Sequence, residues 1–541
     1  METETMEKLL LMGDEAVGRA AIDAQLGGAF GYPGTPSTEI FEYLQEHSRK
    51  TKAFPALWAA NEKVAFEEAL GMSYAGKRAI VTMKSVGLNV AADPFICSAI
   101  TGVNGGLVAA IADDPGMHSS QNEQDARYYA EFARVPCFEP ANQQECYNMA
   151  REAFKFSEEH GLPVLLRLVT RIAHSRAPVN VFTPDSPRPE ISLPPQDSLG
   201  WVLLPGVARK RFPELLKKRA VMAEKQGAAE WNYVTRYKDA ATRKKGIIAC
   251  GTGYNYLMEA FDALGLRADF LKISFYPVSP TLIRNFMEGR GEILVLEDGY
   301  PFLEERLLGL AGAGPKVRGR LDGTMPTTGE LNPDKVCAAV AKVFGGMPPQ
   351  PYFTKPDIPE RPPMLCQGCP HTDTYHALNS ALAERRPARV FSDIGCYTLG
   401  ALKPHEAIHS CVEMGASIGM ARGAADGGLK YSVAVIGDST FGHSGMTALL
   451  GAAAANAPVT VFILDNGTTA MTGAQKSLST GARLDALLAG LGVSPEHVRV
   501  ITPLPARHGE NARVIGEELD YRGLSVIIAR RECIQILGKK K

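Results

Sequence analysis

Short, almost wholly apolar strands recur along this chain, each handed on to a stretch of helical periodicity. RAIVTM (78–83), GLVAAIA (106–112) and LPVLLRLV (162–169) follow helix-like DEAVGRAAIDAQLGGAF, the turn GYPGTPS and a second helix from Ser37. GIIACG (246–251), ADFLKIS and EILVLED repeat the rhythm, and so do ARVFSDIG, YSVAVIGD, VTVFILDN, VRVITP and LSVIIARR. A strand that is apolar on both faces is buried on both, which requires a parallel sheet covered by helices. With 541 residues the chain is too long for a single core. Proline-rich stretches at Ala177–Pro205 and Met347–Met364 cannot lie inside helices or central strands and read as linkers. The expected fold class is therefore α/β, with three doubly wound domains. Their expected limits are 1–180, 246–346 and 365–541, with a Pro-rich then basic arm at 181–245 and a second linker at 347–364.

Charge narrows the function. Lys and Arg total 58 against 59 Asp and Glu, a net charge of -1, which removes the basic footprint of a nucleic-acid protein. The N-terminal METETMEKLLLMGDEAVG has no basic n-region, long apolar core or cleavage site, and the apolar stretch 86–112 is broken by Asn89, Asp93 and Asn104. A cytoplasmic protein with no membrane partner is expected. Arg209–Lys245 holds twelve Lys/Arg against four Asp/Glu. It reads as a solvated helical surface, or as a docking face for an acidic redox partner or anionic cosubstrate.

In open α/β sheets ligands sit at the carboxyl ends of the strands. YSVAVI is followed by Gly437, Asp438, Ser439 and Thr440, and VTVFIL by Asp465, Asn466, Gly467, Thr468 and Thr469. Two successive strands thus end in hard-oxygen ligands, Asp438 and Asn466, an arrangement suited to Mg²⁺ bridging a diphosphate. Gly437 and Gly442 let backbone close on the phosphates, and the next helix N-terminus favours their charge. Each half alone also reads as a common turn.

The wording GDSTFGHSG…LDNGTTAMTG is a thiamine diphosphate signature, and it resembles the α subunits of indolepyruvate:ferredoxin oxidoreductases, in the 2-oxoacid:ferredoxin oxidoreductase superfamily. The resemblance continues through GYPGTPSTE (31–39), NEKVAFE (61–67), TMKSVGLN (82–89), DDPGMHSSQNEQDARYYA (113–130), CQGCPH (366–371) and DIGCYTLG (393–400), nearly all of Leu10–Ala529 in order. It implies a pyrimidine-binding domain, a pyrophosphate-binding domain and a transketolase C-terminal-like domain between them.

By the same resemblance, Asp438 and Asn466 are expected to ligate Mg²⁺ with the Thr468 carbonyl, while Gly437 and Ser439 lie against thiamine diphosphate. Glu62 is expected to hydrogen-bond the aminopyrimidine, so that the ring nitrogen removes the cofactor's C2 proton. Read without the family, Asn61 is a helix N-cap and Glu62 a first-turn acid. Thr35 and Arg127 resemble residues that hold the 2-oxoacid carboxylate, and His118 lies in the same matched segment as a substrate neighbour or a loop histidine.

Ten cysteines are too few for a disulfide scaffold. Cys366 and Cys369 form a CxxC after the second linker, while Cys396 and Cys533 each follow a strand, on the cofactor edge of a parallel sheet. Four thiolates suit a [4Fe–4S] cluster, which the superfamily's catalytic subunits hold near thiamine diphosphate. The alternatives are structural zinc on Cys366, Cys369, Cys396 and His371 or Cys533, a redox dithiol, or unliganded core thiols. Cys411, before VEMGASIGMA, reads as a core position, and Cys97, Cys137, Cys146, Cys250 and Cys337 as small hydrophobes.

The family's α subunits continue into a ferredoxin-like module, whereas this sequence ends at ECIQILGKKK. Electrons are then expected to leave through another subunit, through a directly docked ferredoxin or through another acceptor. The expected activity is oxidative decarboxylation of arylpyruvates with coenzyme A, in an α2β2 heterotetramer with a smaller β subunit. A non-redox thiamine-dependent decarboxylase or carboligase, a different 2-oxo acid, and a non-catalytic scaffold subunit are the rival readings.

Overall fold

A computed structural model describes residues 7–186, 201–224, 230–237, 244–311, 314–348, 363–411 and 413–537. Parts of both expected linkers (187–200 and 349–362) and of the basic arm (225–229 and 238–243) lie outside the described residues. The chain divides into two compact units, residues 1–356 and 357–541.

The first unit holds a seven-stranded sheet, ordered Phe275–Tyr276, Cys137–Phe138, Val164–Val169, Leu107–Asp113, Ala79–Lys84, Gly28–Gly31, Ala56–Trp58. Every pairing is parallel except that of Phe275–Tyr276, which joins Cys137–Phe138 antiparallel. The middle block forms a second sheet, ordered Lys316–Arg318, Glu292–Leu296, Lys245–Cys250, Phe270–Ile273, Tyr233–Thr235. Expected as a domain of its own, it lies in the same compact unit as the first sheet: one face, through Ile248, Cys250, Leu271 and Ile273, packs into the first sheet's core, while the other, through Ile247, Ala249, Phe270 and Leu296, keeps a separate core. Two features join them. The middle block lends Phe275–Tyr276 to the edge of the first sheet, and a buried ion network ties Arg127 and Arg167 to Glu297 and the Asp298 carbonyl.

Two local expectations needed correcting. Gly28–Gly31, read as the tail of a helix, is a fully buried strand after the helix Gly13–Asp23. The first linker begins as a strand, Arg176–Val181, antiparallel to Glu7–Met12. Pro178 is tolerated there because a two-stranded ribbon leaves edge positions where no N–H is needed. In the basic arm, the helix Pro205–Glu224 buries Leu215, Met222 and Ala223 and leaves Arg209, Lys210 and Lys217 exposed. Arg219 pairs with Glu131 at 2.5 Å, and Lys218 donates to the His160 carbonyl at 2.7 Å.

The second unit is a six-stranded, all-parallel sheet, ordered Ser410–Cys411, Ala388–Ser392, Tyr431–Gly437, Val459–Asp465, Ser525–Arg530, Val498–Ile501. Alternate residues of one strand feed two cores: Val433 and Val435 pack on one face, Ala434 and Ile436 on the other. That two-sided burial is why these strands read as unbroken apolar runs, each buried Val or Ile contributing about 1.5–3 kcal/mol. Among the described residues no helix is long and apolar enough to cross a membrane.

Candidate active site

In the second unit, strand order reverses between Ala388–Ser392 and Tyr431–Gly437, the crevice where open α/β sheets bind ligands. The residues that follow four adjacent strands meet at this edge: Asp393 and Cys396, Asp438, Asn466, and Cys533. Asp438 is buried, accepting from the Ser439 N–H at 2.8 Å and the Gly467 N–H at 2.9 Å. Burial, with Asp465 beside it, lifts its carboxyl to about 7. A buried carboxylate of this kind suits a divalent cation, which restores the charged form. Asn466 Oδ1 accepts from the Thr468 N–H at 3.0 Å, so the Asn466–Thr468 turn is held against Asp438. Ser439 Oγ lies 2.9 Å from Thr469 Oγ1, linking the two strand ends again. A Cβ on Gly437 would stand 2.6 Å from the Tyr397 ring, so only glycine lets the strand end lie this close to Tyr397.

The four proposed cluster cysteines gather at the same edge. Cys369 caps the helix Pro370–Leu382, and its N–H donates to the Cys366 carbonyl at 3.1 Å. Burial, and then the nearby Cys369, Cys533 and Cys366 thiols, push Cys396 up to about 12. The Cys533 N–H donates to the Asn466 carbonyl at 3.2 Å. His371, which burial lowers to about 4 and so keeps neutral, places Nε2 3.4 Å from both Cys396 Sγ and Asn466 Nδ2. Among the described residues no cysteine belongs to a set of three or more His, Cys, Asp or Glu ligand atoms within 4.8 Å of one another. Cys411 departs from its expected core position: it is exposed on the short edge strand Ser410–Cys411, against Asp393 and Thr398. Cys137, Cys146, Cys250 and Cys337 are buried as expected, but Cys97 is half-buried beside Asp93.

In the first unit the strand order reverses between Gly28–Gly31 and Ala79–Lys84, and the GYPGTPS turn and Lys84 flank that point. Glu62 is buried at the start of the helix Glu62–Tyr74, whose N-cap Asn61 accepts from the Val64 N–H at 2.9 Å. The capping role and the buried carboxylate thus coexist. Gly87, in the helix Ser85–Val90, lies so close that a Cβ there would stand 2.6 Å from Glu62 Oε1. The Thr35 carbonyl accepts from Ser119 Oγ at 3.1 Å, and Lys84 Nζ donates to the Ser119 carbonyl at 2.7 Å and to its Oγ at 3.1 Å. Burial lowers Lys84 to about 8. Lys84 went unread in the sequence, although a lysine ending an apolar strand at a switch point is itself a signal.

Arg127 does not match the expectation of a guanidinium facing a substrate. It is buried and its donors go to protein: Asp125 through Nε and Nη2, Glu297 Oε2 at 2.9 Å, the Tyr276 hydroxyl at 3.3 Å, and the Asp298 and Tyr300 carbonyls. Arg167 completes the network with Asp113 and Glu139. Burial alone would raise Asp125, yet the two arginines hold it at about 2. His118 is an exposed loop residue with Nε2 3.7 Å from Glu330.

Each unit presents a candidate ligand site at the carboxyl edge of its own sheet, and each matches a thiamine-diphosphate-binding domain of the enzymes that depend on that cofactor. Two family profiles agree: "Pyruvate flavodoxin/ferredoxin oxidoreductase, thiamine diP-bdg" over residues 19–198, and "Thiamine pyrophosphate enzyme, C-terminal TPP binding domain" over 393–500. The chain is 40% identical to indolepyruvate oxidoreductase subunit IorA of Archaeoglobus fulgidus, covering 97% of this chain and 86% of that one. It is 36% identical to the subunit of the same name from Methanothermobacter thermautotrophicus, over 98% and 88%. The chain belongs to this IorA family of oxidoreductase subunits. Among solved structures, the 2-oxoglutarate:ferredoxin oxidoreductase of Magnetococcus marinus overlays 59% of this chain and 63% of that one, at 17% identity and a TM-score of 0.49.

Proposed function

We propose that this chain is the catalytic α subunit of an oxidoreductase that converts an aryl 2-oxo acid such as indolepyruvate, with coenzyme A, to the aryl-acetyl thioester, CO₂, a proton and two electrons. A smaller β subunit completes the enzyme in an α2β2 assembly, and ferredoxin or another carrier takes the electrons. The observation that carries this reading is the contact chain Cys396–His371–Asn466–Cys533, which joins a thiol set to the diphosphate motif within one sheet edge. A non-redox thiamine enzyme has no use for that junction.

Bound thiamine diphosphate supplies a nucleophilic carbon and an electron sink. The residues of this chain bind and orient it. Asp438 and Asn466, with the Thr468 carbonyl, would hold Mg²⁺, which would supply positive charge for a diphosphate, and Gly437 and Ser439 would help to bind the cofactor. Glu62 holds a proton at the aminopyrimidine from a buried position. Thr35 and Lys84 receive the substrate carboxylate, since Lys84 keeps one N–H without a partner among the described residues, while Arg127 is committed to the scaffold. Cys366, Cys369, Cys396 and Cys533 hold a [4Fe–4S] cluster. Their spread favours that over zinc, whose tetrahedral thiolates sit about 3.8 Å apart at Zn–S distances of about 2.3 Å.

The test is an anaerobic assay of the reconstituted complex with coenzyme A and a dye acceptor, across aryl, branched and short 2-oxo acids. Indolepyruvate is expected to turn over fastest. Faster turnover of pyruvate would overturn the substrate class, and protein lacking both iron and sulfide would overturn the redox reading.

A further inference from the structure

Away from these residues, three side chains from three segments of the first unit converge. Asp14 is the second residue of the helix Gly13–Asp23, Glu39 the second of Thr38–Thr51, and His174 the last of Thr170–His174. One ligand atom from each lies within 4.8 Å of the other two, and His174 Nε2 is 3.4 Å from Glu39 Oε2. Asp14 is fully buried, and neither of its carboxylate oxygens has a hydrogen-bond partner among the described residues. Such a group carries the full cost of its lost hydration. Burial and the charges of Glu39 and Glu15, both negative, drive its carboxyl well above the ordinary range. Among the described residues no Lys or Arg forms an ion pair with it; the basic group beside it is the His174 imidazole, within 4.8 Å.

Glu39 is already paired with His174, which holds its carboxyl below the usual range; a proton on Asp14 would leave its oxygens with no partner among the described residues, whereas a divalent cation would engage all three side chains at once. We propose that Asp14, Glu39 and His174 form a binding site for a divalent transition metal of the zinc class. The imidazole argues against Mg²⁺ and Ca²⁺, which take oxygen ligands. Tetrahedral zinc, with Zn–N and Zn–O distances of about 2.0–2.1 Å, sets neighbouring ligand atoms about 3.4 Å apart, the separation seen between His174 and Glu39. Glu39 and His174 are half-exposed, so the fourth coordination position opens toward solvent. The metal would clasp the helices Gly13–Asp23 and Thr38–Thr51 to the short helix that follows strand Val164–Val169. The packing is already tight, since a Cβ on Gly13 would collide with the Ile172 carbonyl.

The test uses the full chain, purified anaerobically, stripped with chelator, dialysed against zinc and measured for bound metal and melting temperature. Wild type should bind one zinc per chain more than either His174→Gln or Asp14→Asn. Cys366→Ser should keep that same zinc, which separates it from any held by the thiols. Zinc should raise the melting temperature of wild type and lose that effect in both variants. His174 lies at the surface, so its variant is expected to fold even if Asp14→Asn does not. Equal zinc content in wild type and His174→Gln overturns the site. So does Asp14→Asn that is more stable without zinc and binds as much of it as wild type, which would mark a buried protonated acid.

Discussion

Gly87→Ala places one methyl group against the Glu62 carboxylate. The new Cβ would stand 2.7 Å from Glu62 Cγ and 2.6 Å from Oε1. Carbon atoms in contact prefer about 3.5–4.0 Å, so the carboxylate must retreat by about 1 Å. The obstacle is the far end of a flexible side chain, and Gly87 lies in a helix, where alanine is favoured by about 1 kcal/mol. Fold stability should therefore hold or rise slightly. A catalytic group displaced by about 1 Å costs about 10²-fold in rate, equivalent to about 2.7 kcal/mol of barrier. The assay is deuterium exchange of the thiazolium C2 proton in the reconstituted complex, with turnover and melting temperature measured in parallel. Exchange and turnover should fall together about 100-fold while the melting temperature stays put. In a Glu62→Gln background the same substitution should add almost nothing, because the group it displaces is already disabled. Exchange within threefold of wild type would refute the reasoning, and so would a collapse in stability.

Three further outcomes are expected. Arg127→Met strands Asp125 and Glu297 in the interior and should cost about 3–5 kcal/mol in urea unfolding; unchanged stability with a raised KM for the 2-oxo acid would return Arg127 to the substrate site. Lys84 has a folded pKa of about 8, below the roughly 10.5 of a free lysine. The unfolded chain therefore binds more protons between those values, and stability should rise with pH across that window, by no more than about 3 kcal/mol. Lys84→Met should flatten the rise, and an unchanged slope in denaturation between pH 7.5 and 10 would count against the burial argument. Iron analysis of anaerobic protein should give about four irons per chain, lost in Cys366→Ser and retained in Cys411→Ser; loss in the Cys411 variant would redraw the ligand set.

The sequence was most legible where one physical rule acts alone. Strands such as Val459–Asp465, buried on both faces, leave an unbroken apolar run, and the residue after each run falls on the ligand edge. The placement of Asp438 and Asn466 directly after their strands was legible for that reason. Gly28–Gly31 was lost because four small or apolar residues after a helix carry no period of their own. Arg127 was misjudged because an arginine that stabilises a junction and one that binds a carboxylate look alike until their partners are known. Those partners, Glu297 and Tyr276, lie about 150 residues or more along the chain. Gly87 and the Asp14–Glu39–His174 set depend on proximity between segments, which no local pattern encodes.

The strand Phe275–Tyr276 has a consequence for synthesis. The seven-stranded sheet closes its Cys137–Phe138 edge only with residues made more than 130 positions later. Until then the growing chain carries an open, hydrophobic strand edge and a buried Arg127 that lacks its Tyr276 and Glu297 partners, a state prone to pairing with other copies. A fragment ending near residue 180, although it contains six of the seven strands of the first sheet, should aggregate on expression. One extended through the middle sheet should stay monodisperse. The natural unit for shuffling or dissecting this protein is accordingly the first sheet together with the second.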